Sequence, residues 1–141
     1  MPEVRKEVLG FRDAALSERH RLWGWDCPAM DMDFVMVEYD NGRATALVEY
    51  KHENARPQYP THPSYRALVD MGDKAGIPVF AVRYAENFSW WLVMPLNAKA
   101  VEQIGGRRTM SEAEWVETLY RTRGREMPAD VREAIENEVQ W

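Results

Sequence analysis

Two runs of strand-forming residues on either side of Asn41-Gly42 constrain this fold more than any other feature. Residues 33–40 and 43–51 are rich in valine, tyrosine, phenylalanine and threonine, which favour strands. An Asn-Gly pair between such runs is the strongest short-range signal of a hairpin, because both residues tolerate a positive φ. The sequence therefore predicts two antiparallel strands joined by a tight turn.

The length of the turn decides which side chains share a face of this hairpin. A two-residue Asn41-Gly42 turn would pair Phe34 with Glu49 and leave Asp33 on the other face. A three-residue turn that begins one residue earlier would place Asp33 opposite Glu49, with the glycine as a left-handed bulge residue. We predict the three-residue turn.

Charged side chains then converge on one face of the predicted hairpin. Glu49 and Lys51 alternate with Tyr50 in the second strand, so they point to the same side. Asp33 lies opposite Glu49 and Asp31 opposite Lys51, so either aspartate could be a ligand. Facing carboxylates repel each other, and a hard divalent cation is a natural reason for their proximity. We predict a Mg²⁺ site, which Mn²⁺ could also fill, with Asp33, Glu49 and Asp31 as ligands and Lys51 beside them.

The alternative is that these charges are solvated and carry no chemistry. Asp33 would then be an exposed residue at the start of a strand, and Glu49 and Lys51 an ordinary surface pattern. Against this, the second strand is otherwise apolar or aromatic from Ala46 to Tyr50, and its place in the chain predicts an interior strand. Charges in such a strand require an explanation.

The segments around the hairpin predict a mixture of helices and strands. Apolar residues at helical spacing predict an opening helix over residues 2–21. Pro63 and Gly76 mark the start and the end of a second helix. The nearly continuous apolar run 77–84 predicts a buried strand parallel to the second hairpin strand, because a crossover helix precedes it. Residues 88–95 predict a further strand.

The last third of the chain predicts two more helices. Ser111 and Glu114 form a capping-box pattern, and Pro128 can open the final helix. The resulting order predicts an α/β fold with a mixed β-sheet flanked by helices. We expect one domain over residues 1–141, with its core at about 2–95 and a helical C-terminal extension at 107–141.

This order of elements and its charged motif resemble the PD-(D/E)xK nuclease superfamily over roughly residues 2–95. The resemblance implies a restriction-endonuclease-like fold in which Asp33 is the family's aspartate, Glu49 its second acidic ligand and Lys51 its lysine. Met32 stands where the family often has proline. The implied activity is Mg²⁺-dependent hydrolysis of phosphodiester bonds in DNA, as in a resolvase, a repair nuclease or a phage-type accessory nuclease.

The resemblance also implies further residues and a partner. Many members add a glutamate from the opening helix, so Glu7 and Glu18 are candidates, and helix phase cannot choose between them. Small nucleases of this class often dimerise to act on two strands, so a homodimer is expected. Apart from the resemblance, His20 is a candidate base or phosphate contact.

The net charge of -5 requires any contact with nucleic acid to be local. One candidate is the basic cluster in which Arg19 and Arg21 could contact phosphates and Trp23 could stack on a base. Arg107-Arg108 is another basic patch. The acidic charge is also the best support for an alternative function, a non-catalytic module that binds nucleic acid or protein on a nuclease-like fold. A metal-dependent enzyme acting on a small phosphorylated substrate is a third alternative.

Hydropathy and cysteine content predict where the protein functions. No apolar run approaches the roughly 20 residues that a membrane-spanning helix needs. Cys27 is the only cysteine, so no internal disulfide can form. We therefore expect no membrane segment and a cytoplasmic location.

Overall fold

The computed structural model describes residues 14–23, 28–30 and 32–138. The chain divides into two compact units, Met1–Asp31 and Met32–Trp141. The first unit contains helix α1 (Ala14–Trp23), whose end lies close to the predicted end of the opening helix. The part of that prediction before residue 14 lies outside the described residues.

The second unit contains a mixed β-sheet with helices on both faces. Its described strands are β1 (Phe34–Glu38), β2 (Arg43–His52), β3 (Val79–Tyr84), β4 (Trp91–Pro95) and β5 (Arg108–Met110), in that order across the sheet. The helices are α2 (Pro63–Ala75), α3 (Ala98–Ile104), α4 (Glu112–Thr122) and α5 (Ala129–Glu138). β2 and β3 are parallel, whereas the other neighbours are antiparallel, which confirms the predicted α/β fold with a mixed sheet. None of the helices in the described residues is both long and apolar enough to cross a lipid bilayer.

The turn between β1 and β2 is longer than predicted. Glu38 pairs with Arg43, so the connection runs from Tyr39 to Gly42, and Gly42 has a φ of 65°. The side chain of Asn41 accepts a hydrogen bond from the backbone N–H of Arg43 at 3.1 Å, which closes the turn. The predicted three-residue turn is therefore wrong.

A β-bulge nevertheless produces the predicted register near Asp33. Val37 pairs with Ala44, but the residue before it, Met36, pairs with Ala46. Thr45 is therefore an inserted residue without a partner in β1. The inserted residue shifts the pairing by one, and Phe34 then lies opposite Val48. This is the pairing that the three-residue turn predicted, reached through a longer loop and a bulge.

The alternation of side chains along β2 separates two cores. Ala46 and Val48 pack on one face with α3 and α4, in a cluster that includes Phe80, Val93 and Trp115. Leu47 packs on the other face with Tyr65 and Leu68 of α2 and with Val79 and Ala81 of β3. β2 thus lies between two apolar layers, as expected for an interior strand.

The region after β4 differs most from the sequence prediction, which contained neither α3 nor β5. Asn97 organises this region, because its side-chain oxygen accepts hydrogen bonds from the N–H groups of Val79 and Ala100, each at 3.0 Å. Its amide nitrogen donates to the carbonyl of Ile77 at 2.9 Å. Met110 of β5 and Trp115 of α4 are buried in the core, so the C-terminal part of the chain contributes directly to the central packing.

Candidate active site

Asp33 lies immediately before β1, and its side chain lies beside the backbone of β2. Continuing the register by one residue from Phe34 and Val48 puts Asp33 opposite Glu49. Its Oδ2 accepts a hydrogen bond from the backbone N–H of Tyr50 at 2.9 Å. The carboxylate is therefore held against the backbone of the strand that carries Glu49.

Glu49 and Lys51 project from β2 on the face that carries α2. Their side chains are only partly accessible, with exposed fractions of 13% for Glu49 and 30% for Lys51. Lys51 Nζ lies 3.8 Å from Glu49 Oε1, an ion pair at the long end of the range. Both charges sit in an interior strand of the sheet, which confirms the predicted context of this motif.

Tyr65, in the first turn of α2, brings a hydroxyl group to the same region. Burial raises the pKa of Tyr65 above its ordinary value of 10.0, and the negative charges of Glu49 and Asp33 raise it further. The positive charge of Arg83 acts in the opposite direction. Both carboxylates therefore act on one hydroxyl group, and that hydroxyl stays protonated at neutral pH.

Arg83 lies beside Lys51 in the parallel pair of β2 and β3 and holds the loop after β2. Its Nη1 donates to the backbone carbonyls of His52, Glu53 and Ala55 at 3.1, 3.2 and 2.8 Å. A guanidinium keeps its charge at all physiological pH values, so Arg83 adds a fixed positive charge next to Lys51. Its pairing with Lys51 depends on the strand register, which the sequence did not resolve.

A second acidic group lies at the rim of the same end of the sheet. Ligand atoms of His52, Glu53 and Glu86 lie within 4.8 Å of one another. The Nδ1 of His52, however, accepts the N–H of Asn54 at 3.1 Å, and Glu53 Oε1 accepts the N–H of Glu86 at 3.0 Å. A neutral histidine that accepts at Nδ1 carries its proton on Nε2 and has no lone pair left for a metal. These contacts favour a role in joining two loops.

The remaining predicted site residues belong to the first compact unit or lie outside the described residues. Glu18, Arg19, His20 and Arg21 are exposed on α1, as is Trp23, and the rings of His20 and Trp23 lie 4.6 Å apart. All of them belong to the first compact unit. Glu7 and Asp31 lie outside the described residues, so both stay predictions.

The donor atoms of Asp33 and Glu49 suit a hard cation. Carboxylate oxygens are the ligands that Mg²⁺ and Mn²⁺ prefer, and one or two protein carboxylates are typical of a Mg²⁺ site that also binds phosphate. The hydrogen bond from Tyr50 fixes the Asp33 carboxylate without occupying both oxygens. The residues present therefore fit the predicted divalent cation.

Comparisons of the chain with protein-family models, with curated proteins and with solved structures gave no match.

Proposed function

We propose that this protein is a Mg²⁺-dependent nuclease with a restriction-endonuclease-like fold that hydrolyses phosphodiester bonds of DNA. The observation that carries the proposal is the position of Asp33, whose carboxylate accepts the N–H of Tyr50, the residue after Glu49, at 2.9 Å. A carboxylate just before β1 and another in β2, with Lys51 two residues beyond Glu49, match the donor set of the PD-(D/E)xK motif.

The topology around these residues supports the same proposal. The acidic residues lie on an antiparallel hairpin, α2 crosses from its second strand, and β3 returns parallel to β2. This is the order of elements on which the resemblance to the nuclease superfamily rests.

Each side chain has a distinct role in the proposed reaction. Asp33 and Glu49 would hold Mg²⁺, which supplies Lewis-acid activation of water and neutralises charge on the phosphate when bound. Lys51 would donate a hydrogen bond to a phosphate oxygen and offset the negative charge that develops in the transition state. The protonated Tyr65 hydroxyl can donate a hydrogen bond in the same region. Arg83 orients the loop beside the site.

The proposal can be tested with supercoiled, linear, single-stranded and branched DNA in the presence of Mg²⁺ or Mn²⁺. Asp33→Asn, Glu49→Gln and Lys51→Ala should each lower the cleavage rate by about 100-fold or more, since each removes a group acting on the charged transition state. EDTA should abolish cleavage. Calorimetry should show that Asp33→Asn and Glu49→Gln also weaken Mn²⁺ binding.

Matched controls separate this site from the rim group and from a general charge effect. Glu53→Gln makes the same substitution as Glu49→Gln at an exposed position, and Lys74→Ala removes an exposed lysine that pairs with Asp70. Both controls should cleave like the wild type. Cleavage that persists in EDTA and in Lys51→Ala would identify a contaminant and refute the assignment. Loss of Mn²⁺ binding only in Glu53→Gln would show that the metal binds at the group of His52, Glu53 and Glu86.

A further inference from the structure

A cleft opens on the α2 face of the sheet directly beside Lys51. It encloses about 250 Å³, and the side chains of Leu92 and Met94 from β4 form part of its floor. Pro57 and Pro60 line one wall, on the loop that Arg83 holds at its other end. Proline restricts the backbone, so this wall is stiff for a loop. The cleft therefore has a defined wall and floor, and it adjoins the candidate active site at Lys51.

The charge of this cleft is opposite to that of the whole chain. Lys51, Arg83 and Arg107 line it, and no carboxylate is found among the described residues that do so. The chain as a whole has a net charge of -5. Like charges that line one cleft repel one another, and a bound anion relieves that repulsion. The cleft therefore suits an anionic ligand.

The size of the cleft indicates what kind of anion it accepts. Pockets that enclose a drug-sized molecule have volumes of roughly 300–1,000 Å³. A cleft of about 250 Å³ that opens to solvent suits a segment of a polymer better than a whole small substrate. A sugar–phosphate unit offers an anionic group for the cations and an apolar surface for the floor.

Arg107 differs from its neighbour Arg108 in position and in partners. Arg108 lies opposite Val93 in the sheet and is 3.8 Å from Glu114 of α4, which places it on the α4 face. Arg107 precedes β5 and lines the cleft on the α2 face. Within the part of the chain that the structure describes, Arg107 forms no ion pair and no side-chain hydrogen bond. Its guanidinium can therefore turn to a ligand without breaking an ion pair or a side-chain hydrogen bond of the described residues.

We propose that the cleft binds the sugar–phosphate backbone of one nucleic-acid strand next to the bond that is cut, and that Arg107 binds its phosphate. This inference rests on the proposed nucleic-acid substrate and extends it from the scissile phosphate to the neighbouring nucleotide. Lys51 lines both the cleft and the candidate active site, so the two positions are adjacent along a bound strand. Arg83 contributes charge and fixes the wall.

The test compares Arg107→Ala with Arg108→Ala, which removes the same charge from the adjacent position on the other face. A fluorescein-labelled single-stranded oligonucleotide is titrated in EDTA, where no cleavage occurs, at several salt concentrations. Arg107→Ala should weaken binding about tenfold, as expected for a lost hydrogen bond between charged groups. It should also make the slope of log affinity against log salt shallower by about 0.7, the value for one phosphate of a single strand. Arg108→Ala should bind like the wild type.

The outcomes distinguish this inference from the proposed activity. Equal weakening by both substitutions, or no binding by the wild type even at low salt, would overturn the inference. Cleavage that requires Glu49 but is indifferent to Arg107→Ala would also overturn it, and would leave the nuclease assignment intact. Binding that depends specifically on Arg107 in a protein that cuts no DNA would support the cleft and refute the nuclease activity.

Discussion

The two faces of the sheet use the same strand for different purposes. On the α4 face, Val48 is buried and Tyr50 is surrounded by aromatic rings, including that of Trp115. On the α2 face, Leu47 is buried, but the next two residues pointing that way are Glu49 and Lys51. One face is apolar along this length of β2, whereas the other changes from apolar to charged within a single strand.

The carboxylates of the two faces differ in the same way. Glu38 is buried and has two arginine partners, Arg123 at 3.2 Å and Arg125 at 3.0 Å. Extension of the β1–β2 register by one residue puts Glu49 opposite Asp33, and Glu49 Oε1 lies 3.8 Å from Lys51 Nζ. A carboxylate with two close cationic partners can stabilise a fold through charge-assisted hydrogen bonds, whereas the pattern around Glu49 is the one expected of the proposed site. We infer that the α4 face contributes stability, whereas the α2 face carries the proposed site.

The largest loss of stability should follow from removing a buried side chain on the α4 face. Trp115 is 1% exposed and packs against Phe80 with a ring separation of 5.3 Å. Trp115→Ala should lower the free energy of unfolding by about 3–5 kcal/mol, because it leaves a cavity in the core. Denaturant titration measures the change. Val101→Ala, at an exposed position of α3, should stay within about 0.5 kcal/mol of the wild type. A similar loss in both variants would contradict the contrast between core and surface.

The next largest effect should be a stabilisation of the fold by Mg²⁺ bound on the α2 face. If Asp33 and Glu49 hold Mg²⁺, a concentration one hundred times the Kd should raise the free energy of unfolding by about 2.7 kcal/mol. Glu49→Gln keeps the shape of the side chain and should abolish this increase. Thermal unfolding with and without Mg²⁺ measures it, with Glu53→Gln as the control that should keep the increase. The same Mg²⁺ stabilisation in Glu49→Gln would show that the cation binds elsewhere.

Substitution of Tyr50, which lies between Glu49 and Lys51 in β2, should lower stability without lowering activity. The Tyr50 hydroxyl accepts a hydrogen bond from Trp115 Nε1 at 3.0 Å on the α4 face. Tyr50→Phe removes this acceptor and leaves an indole N–H without that partner, at a cost of about 1–3 kcal/mol. The proposed nuclease activity, measured at a temperature where the variant is folded, should be unchanged. A loss of activity without a loss of stability would place Tyr50 in the site and blur the division between the faces.

Local signals in the sequence were sufficient for much of this arrangement. Pro63, Gly76 and the Ser111–Glu114 capping box correctly predicted α2 and the start of α4, because caps satisfy backbone groups within one turn. The pairing of Phe34 with Val48 was also predicted, but through the wrong turn. The bulge at Thr45 has no sequence signature of its own. A four-residue loop followed by a bulge gives the same pairing at Phe34 as a three-residue turn, so the sequence could not distinguish them.

Non-local packing determined what the sequence could not provide. Tyr65 and Arg83 join the site through the packing of α2 and the parallel register of β3, and neither is encoded in spacing along the chain. The short elements α3 and β5 carry too few residues for a periodic pattern. Asn97 before α3 and Gly105 after it were the available signals, since they match the preferred helix caps.

The smallest effect should appear as a pH dependence on the α4 face. A hydrogen bond from Arg123 to Glu38, with the positive charges of Arg123 and Arg125, holds the pKa of this carboxyl below its ordinary value of 4.5, although burial opposes the shift. A carboxyl group with a lowered folded-state pKa stabilises the fold above its unfolded pKa, and this contribution disappears as pH falls through the folded value.

Glu38→Gln should therefore be less stable than the wild type at pH 7, and the difference should shrink as the solution is acidified below the ordinary pKa of 4.5. Denaturant titrations of both proteins between neutral and acidic pH measure the difference, and added salt should reduce it because Arg125 is half exposed. Glu126→Gln, which makes the same substitution at an exposed position, should show no comparable gap in stability at pH 7. A difference for Glu38→Gln that grows on acidification would mean that the arginines do not stabilise this carboxylate, and the stability of the α4 face would then rest on its apolar core.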